Sequence, residues 1–100
     1  MKVRWLRQGL EDLQFVVAYI REDNPDAARR LYEVVRKRVP ILSSYPQLGR
    51  TGRVEGTREL VVSGWPYIVV YRIKEQEVLI LRVRHAAQEW PESFPTEEDT

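Results

Sequence analysis

Lys2 to Leu6 alternates polar and apolar side chains, with Val3 and Trp5 set against Lys2 and Arg4, and predicts a short opening strand. From Leu10 the period lengthens. Leu10, Leu13, Val16, Val17 and Ile20 recur at three and four residues, which places them on one face of a helix ending near Arg21. Glu22-Asp23-Asn24-Pro25 then interrupts the pattern. Asn24 can cap a second helix, Pro25 suits its first turn because its missing N–H would be unpaired there anyway, and Asp26 favours the positive end of the dipole. That helix runs from Pro25 to about Val39, with Ala28, Leu31, Val34 and Val35 inward and Arg29, Arg30, Glu33, Arg36 and Lys37 outward. Pro40 cannot donate to the carbonyl of Arg36 and ends or kinks the helix there. The two segments make a helical hairpin.

Tyr45-Pro46 through Gly56 reads as a loop, with Gly49, Gly52 and Gly56 spread along it. The period then becomes two. Residues 58–62, 67–73 and 78–84 predict three strands, joined by turns at Ser63-Gly64-Trp65-Pro66 and Lys74-Glu75-Gln76-Glu77 into an antiparallel meander. The order is β-α-α-β-β-β, an α+β fold with a helical hairpin packed on one face of a small, mainly antiparallel sheet. Residues 1–91 form the single domain, and 92–100 read as an acidic flexible tail.

The strands carry more apolar surface than one pair of helices can cover. Tyr67, Val69, Tyr71 and Ile73 share one face of their strand, and Ile68, Val70 and Arg72 the other. In the last strand, strict alternation groups Leu79, Leu81 and Val83 against Val78, Ile80, Arg82 and Arg84. An apolar face edged by arginine, which the two helices leave uncovered, predicts a protein partner at Ile68, Val70, Arg72, Ile80 and Arg82; the plainer alternative is cover by the C-terminal tail or by a second copy of the chain.

Composition narrows the chemistry. At 100 residues the chain supports one core, and without cysteine it has no disulfide, thiolate metal site or cysteine nucleophile. His85 is the only histidine, so no metal site and no cofactor is expected. The charged N-terminus lacks a signal-peptide pattern, no apolar run is long enough for a membrane helix, and a cytoplasmic location is expected. The net charge of +1 hides an asymmetry: residues 1–58 hold twelve Lys/Arg against seven Asp/Glu, whereas 92–100 hold four acids and no base. Thirteen of the sixteen basic residues are arginine, the side chain suited to bidentate recognition of phosphate or carboxylate.

Few residues can carry chemistry. His85 is the best proton carrier. Arg50, Arg53 and Arg58 are spread over a Gly-rich loop and the strand after it, a loop that could approach a phosphate, although the spacing fits neither a Walker loop nor a dinucleotide fingerprint. Glu55 or Glu59 beside His85 would make an acid–base pair. Arg29, Arg30, Arg36 and Lys37 form a basic stripe, more simply the solvated side of a helix, and Trp90 and Tyr71 could stack on bases or pack in the core.

Three stretches fall in a familiar register: Leu48-Gly-Arg50-Thr-Gly-Arg53-Val-Glu-Gly56-Thr-Arg58-Glu-Leu60-Val, Tyr67-Ile-Val-Val-Tyr71-Arg72, and Val78-Leu-Ile-Leu-Arg82-Val-Arg-His85-Ala-Ala-Gln88-Glu-Trp90-Pro91. With the element order, they resemble the RelE/ParE superfamily, the toxins of bacterial type II toxin–antitoxin modules, over residues 2–91. The resemblance implies growth arrest by the free toxin and a cognate antitoxin that wraps and neutralises it, with operator DNA bound only through the antitoxin. It implies one of two targets. ParE-type members poison DNA gyrase; RelE-type members cut mRNA on the ribosome without metal.

Carried over by position, Arg58 lies where the nuclease type has a basic residue, but Leu60 replaces the next basic position, Ile68 an arginine, and Gln88 lies near the place of a late arginine. His85 falls where some nuclease members carry histidine. The ParE-like reading, with Arg50, Arg53, Arg58, Gln88 and Trp90 in a contact surface, is slightly preferred. In the alternative endoribonuclease, the 2′-hydroxyl attacks the adjacent phosphate, His85 shuttles a proton, and Arg58 and Arg82 stabilise the phosphorane. A third reading is a member that has lost toxicity and persists as a pairing module.

Overall fold

The fold is described for residues 1–94 in a computed structural model. Strand β1 (Lys2–Trp5) leads into helices α1 (Arg7–Asp23) and α2 (Pro25–Arg38), a 3-10 turn (Val39–Ser43), and strands β2 (Arg50–Thr51), β3 (Arg58–Val61), β4 (Tyr67–Lys74) and β5 (Glu77–His85). The sheet order is β1-β5-β4-β3-β2, with β1 parallel to β5 and the other neighbours antiparallel. The expected hairpin-on-sheet architecture is present. Two short elements add to it: β2 inside the predicted loop, and the 3-10 turn between the predicted helix end and that loop.

Local chemistry explains the boundaries. The Asn24 N–H closes α1 on the carbonyl of Ile20 at 2.8 Å, while its side chain accepts from the Ala27 N–H at 3.0 Å and caps α2. Pro25 occupies the first turn as expected. At Pro40 the missing N–H stops the α-helix, and the chain tightens into the 3-10 turn, which still drives Val39 and Leu42 into the core.

The helix-facing core joins Leu13, Leu31, Val35, Val39 and Leu42 to Leu60, Val69, Tyr71, Val78, Ile80 and Val83 of the sheet. Leu13, Val16, Val17 and Ile20 of α1 face the core as expected, and only Leu10 departs. Gly9 and Leu13 are buried, while Leu10 flanks the stripe and is 43% exposed. The cause is the approach of α1 to β5: a Cβ on Gly9 would meet the Ile80 carbonyl oxygen at 2.9 Å and that of Leu81 at 3.3 Å. Only a residue without a side chain fits between helix and strand there.

Strict alternation fails in β5. Val70 pairs with Arg82 and Tyr71 with Ile80, so Leu81 is an extra residue and the strand is bulged. Val78 and Ile80 therefore face the helices, Leu79 and Leu81 face away, and after the bulge Val83 returns to the helix side. Ile80 is thus a core residue, not part of the second face as period two implies. Arg82 turns to Asp12 of α1.

The second face is also not bare. Ile68, Val70, Leu79 and Leu81 pack with Leu6, Val54 and Phe94 in a separate buried cluster, with Trp90 against it. Val70 is fully buried and Phe94 only 4% exposed. The residues after β5 double back over the sheet, because covering each such side chain removes apolar surface worth about 1.5–3 kcal/mol. Ile68 and Val70 are consequently closed off by the chain itself rather than waiting for a partner. Phe94 belongs to this packed body, so the expected boundary at Pro91 falls within it; positions 95–100 of the expected tail lie outside the described residues.

Gly9→Ala improves helix propensity yet removes the clearance to β5. It is expected to lower unfolding free energy by about 1–3 kcal/mol, measured by urea denaturation, whereas a stabilising effect would show that the helix–strand approach is slack.

Candidate functional site

The strongest polar construction surrounds one carboxylate. Glu59 on β3 is 2% exposed, and each of its oxygens is engaged by arginine. Arg50 donates from Nε at 3.1 Å and from Nη2 at 2.9 Å to Oε1. Arg53 donates its backbone N–H at 2.8 Å and its Nε at 3.2 Å to Oε2, and Nη2 reaches Oε1 at 3.4 Å. Burial pushes the carboxyl up, but the backbone N–H and guanidinium of Arg53, the Arg50 guanidinium and the charge of Arg53 outweigh it and hold Glu59 below its ordinary value of 4.5. The register places these groups together: Arg50 of β2 lies opposite Glu59, and Glu59 opposite Val70 on the strap-covered face.

Arg53 does a second thing. Its guanidinium carbon lies 3.8 Å from the centre of the Trp90 ring, and Nη1 reaches the Ala86 carbonyl at 3.4 Å. Arg84 approaches the same ring at 5.9 Å and bonds the Glu89 carbonyl through Nη2. The Gly-rich loop therefore turns its arginines onto the protein's own carboxylate and tryptophan. Two guanidinium groups against one carboxylate leave an excess positive charge on a half-exposed surface.

On the helix-facing side, Arg58 donates from Nη1 to the carbonyls of Gly49 at 2.7 Å and Gln47 at 3.5 Å. Tyr71, fully buried, donates its hydroxyl to the Pro46 carbonyl at 2.7 Å and accepts from the Gly49 N–H at 2.8 Å. Burial pushes this phenol up, against the opposing effects of the Gly49 N–H and Arg58. A Cβ on Gly49 would strike the Tyr71 ring at 2.7 Å, which fixes glycine at that point of the loop. Tyr71 is a strut for the 46–49 loop, not a surface for bases.

His85 closes β5. Its ring meets Tyr67 edge to face at 5.4 Å between centres, and its Nδ1 accepts from the Ala87 N–H at 3.0 Å. Gln88 turns its amide oxygen onto the His85 N–H at 2.9 Å, and the Trp90 Nε1 donates to the His85 carbonyl at 3.3 Å. Nδ1 being occupied, Nε2 is the nitrogen left to carry the proton of the neutral ring. A cleft of about 210 Å³ opens beside it, walled by Phe15 and Tyr19 of α1, Tyr67 and Gln88.

The candidate nuclease residues are not brought together. His85 and Arg58 pair across β4 with Tyr67 and Tyr71, four residues apart, or about 13 Å of strand. Arg82 is held by Asp12, with Nε at 2.7 Å and Nη2 at 3.0 Å, and that partner keeps the guanidinium firmly protonated. Asp12 also accepts from the Val83 N–H at 2.9 Å, taking up the β5 edge where β1 stops. Glu59 pairs with Val70, three residues along β4 from the partner of His85, and Glu55 is exposed; neither makes an acid–base pair with the histidine. Arg72 lies near Gly56 at the edge of the covered face. In the basic stripe, Arg29 and Arg36 are spent on exposed pairs with Asp26 and Glu33.

Two features escape the pattern of the sequence. Asp12 is one of several acids on α1, and nothing in its spacing ties it to Arg82. Glu59 sits among apolar neighbours in a strand, and arginines six and nine residues upstream are the signal that a buried acid there has partners. A larger cleft of about 410 Å³ opens on the helical layer, lined by Trp5, Leu10, Leu13, Val17 and Tyr32 with Arg21 and Arg36 among its walls. Among the described residues no cluster of His, Asp or Glu could hold a metal ion, and no helix is long and apolar enough to cross a membrane.

A mixed five-stranded sheet under a helical hairpin is the architecture of the RelE/ParE toxins, and comparison with known proteins gives the same class. A structure of the chromosomal ParDE system of P. aeruginosa superposes with a TM-score of 0.76 at 26% identity, over 85% of this chain and 95% of that one. The toxin–antitoxin complex RelBE2 of Mycobacterium tuberculosis matches with a TM-score of 0.55 at 27% identity, over 87% of this chain and 92% of that one. In sequence, Y4kP of Sinorhizobium fredii, a protein assigned as a toxin, is 45% identical over 91% of this chain and 94% of its own length. Toxin RelE2 of Caulobacter vibrioides is 36% identical over 87% and 97%. The model of the family described as the ParE toxin of the type II toxin–antitoxin system parDE matches residues 3–90, and the chain belongs to that family.

Glu59→Gln is expected to cost about 1–3 kcal/mol at neutral pH, because it removes the charge that Arg50 and Arg53 share. The sign with pH follows from the lowered carboxyl: its contribution is complete above the unfolded value and is lost as pH falls through the folded one. Denaturation midpoints of wild type and Glu59→Gln should therefore converge on acidification; a gap independent of pH would mean that Glu59 is not ionised in the native state. Tyr71→Phe leaves the Gly49 N–H and Pro46 carbonyl without their partner and should lower stability by about 1–3 kcal/mol in the same measurement.

Proposed function

We propose that this toxin arrests bacterial growth by holding DNA gyrase, as ParE-type toxins do, and that a cognate antitoxin neutralises it. The observation that carries this reading is the dispersal of the candidate nuclease residues. His85 stands at the end of β5, Arg58 is tied to the 47–49 backbone, and Arg82 is tied to Asp12. A toxin that works by binding needs no convergent proton carrier and phosphate clamp. The family match over residues 3–90 supports the same choice.

A cognate antitoxin requires a surface other than the strap-covered sheet face. The cleft on the helical layer offers one: aliphatic and aromatic walls, with Arg21 and Arg36 and no acid among its lining residues. That combination suits a helical segment with an apolar stripe and acidic flanks. The arginine surface around Arg50 and Arg53 is left for the target.

The endoribonuclease reading is favoured by one specific observation, the likeness to a protein named toxin RelE2, together with the free Nε2 edge of His85. The chain expressed alone from an inducible promoter separates the two. Gyrase inhibition predicts loss of supercoiling and DNA breaks with intact transcripts. Codon-positioned cuts in ribosome-bound mRNA that vanish in His85→Ala would overturn it. Normal growth with neither effect would mark a member that has lost toxicity.

A further inference from the structure

The segment after β5 covers an apolar sheet face but is itself held by few groups. From Ala86 to Phe94 it has no helix or strand, and only Trp90 and Phe94 are drawn in from solvent. Its backbone bonds are few and gathered before Trp90: the Ala86 N–H to the Pro66 carbonyl at 2.8 Å, the Ala87 N–H to His85 Nδ1 and the Gln88 N–H to the His85 carbonyl, each at 3.0 Å, and the carbonyls of Ala86 and Glu89 to Arg53 and Arg84. Few buried contacts and little backbone pairing mark a unit that opens at lower free energy than the core. Beneath it lie Ile68, Val70, Leu79 and Leu81, all but fully buried.

One side chain joins this segment to the sheet's polar hub. Arg53 is fixed at one end by Glu59, through its backbone N–H and Nε, and presents its guanidinium face to Trp90 at 3.8 Å. Trp90 in turn packs edge to face on Phe94, with ring centres 6.2 Å apart. The order of dependence runs from Glu59 to Arg53 to Trp90 to Phe94. Arg84, on the other approach to Trp90, has a buried Nε without a hydrogen-bond partner, and burial together with the charge of Arg82 pushes its pKa down. It is the weaker of the two arginines on that ring.

We propose that residues 86–94 form a latched cover that opens independently of the core, with Arg53, oriented by Glu59, as the latch. In the closed state the far face of the sheet is sealed; when the latch releases, Ile68, Val70, Leu79 and Leu81 become an accessible apolar surface. The opening is a property of the fold and stands whether the target is gyrase or mRNA.

The absence of native cysteine allows a direct test in the full chain. Val69 and Val70 are adjacent on β4, both fully buried, one under the helices and the other under the cover. Single Val69→Cys and Val70→Cys substitutions therefore report, by the rate of thiol labelling, on the opening of opposite faces. Latch release predicts faster labelling of the Val70→Cys protein than of the Val69→Cys protein. Adding Arg53→Gln should widen that gap by about tenfold, the effect of removing a hydrogen-bonded cation–π contact. Trp90→Phe, which keeps an apolar ring but weakens the contact, should widen it less. Equal rates at the two positions, or a gap that Arg53→Gln and Trp90→Phe leave unchanged, would overturn the proposal.

Discussion

Both faces of β4 and β5 are apolar, and this single constraint organises the rest of the molecule. A sheet of five strands can lay a helical hairpin on one side only, and a chain of this length has no residues for a third full layer. The helices take the side bearing Val69, Tyr71, Val78, Ile80 and Val83. The other side is closed more economically, by Leu6 from the β1–α1 junction, Val54 from the loop, and Trp90 and Phe94 from the C-terminal segment. The β5 bulge belongs to the same solution. It returns Val83 to the helices after Leu81 has gone to the far side, and it leaves Arg82 at the point where Asp12 can hold it.

The polar groups follow from that arrangement. A loop that must fold over one edge of the covered face brings Arg50 and Arg53 within reach of Glu59, and a buried carboxylate needs such partners to remain charged. Once oriented, Arg53 has its flat face free for Trp90, so a stabilising ion pair and the closing of the sheet become one construction. Arginine suits this double task because its planar group can hydrogen-bond at the edge and stack at the face, which lysine cannot do. The arginine-rich composition thus serves structure. Arg58 and Arg82 are likewise engaged by the protein's own carbonyls and carboxylate.

The sequence carried the architecture well and the site poorly, for identifiable reasons. Asn24-Pro25 marks a helix junction through chemistry confined to a few residues, and the period changes at Leu10 and Arg58 are equally local. The bulge at Leu81 is not local: it falls where β1 pairing ends at Ile80 and where Gly9 brings α1 closest to β5, so period two misplaces Ile80, while Arg82 and Arg84 keep their far-face register opposite Val70 and Ile68. Cover by the C-terminal tail is readable only as an alternative to a partner, because Trp90-Pro91-Glu92-Ser93-Phe94 has no periodicity and its two aromatic anchors look like isolated side chains in a polar tail. The Gly-rich loop and its arginines were legible as a cluster, but a pattern does not tell whether a guanidinium points to a ligand or to Glu59.

Closure of the far face of the sheet by the chain's own C-terminal segment can be observed in solution. The most direct measurement is the set of proton–proton contacts of the Phe94 ring in solution by nuclear magnetic resonance. A closed face gives ring-to-methyl contacts from Phe94 to the cluster containing Val70 and Leu81, with those methyls shifted by the aromatic currents of Phe94 and Trp90. A Phe94 ring with random-coil shifts and no contact to those methyls, in a protein that otherwise retains its folded core, would contradict it.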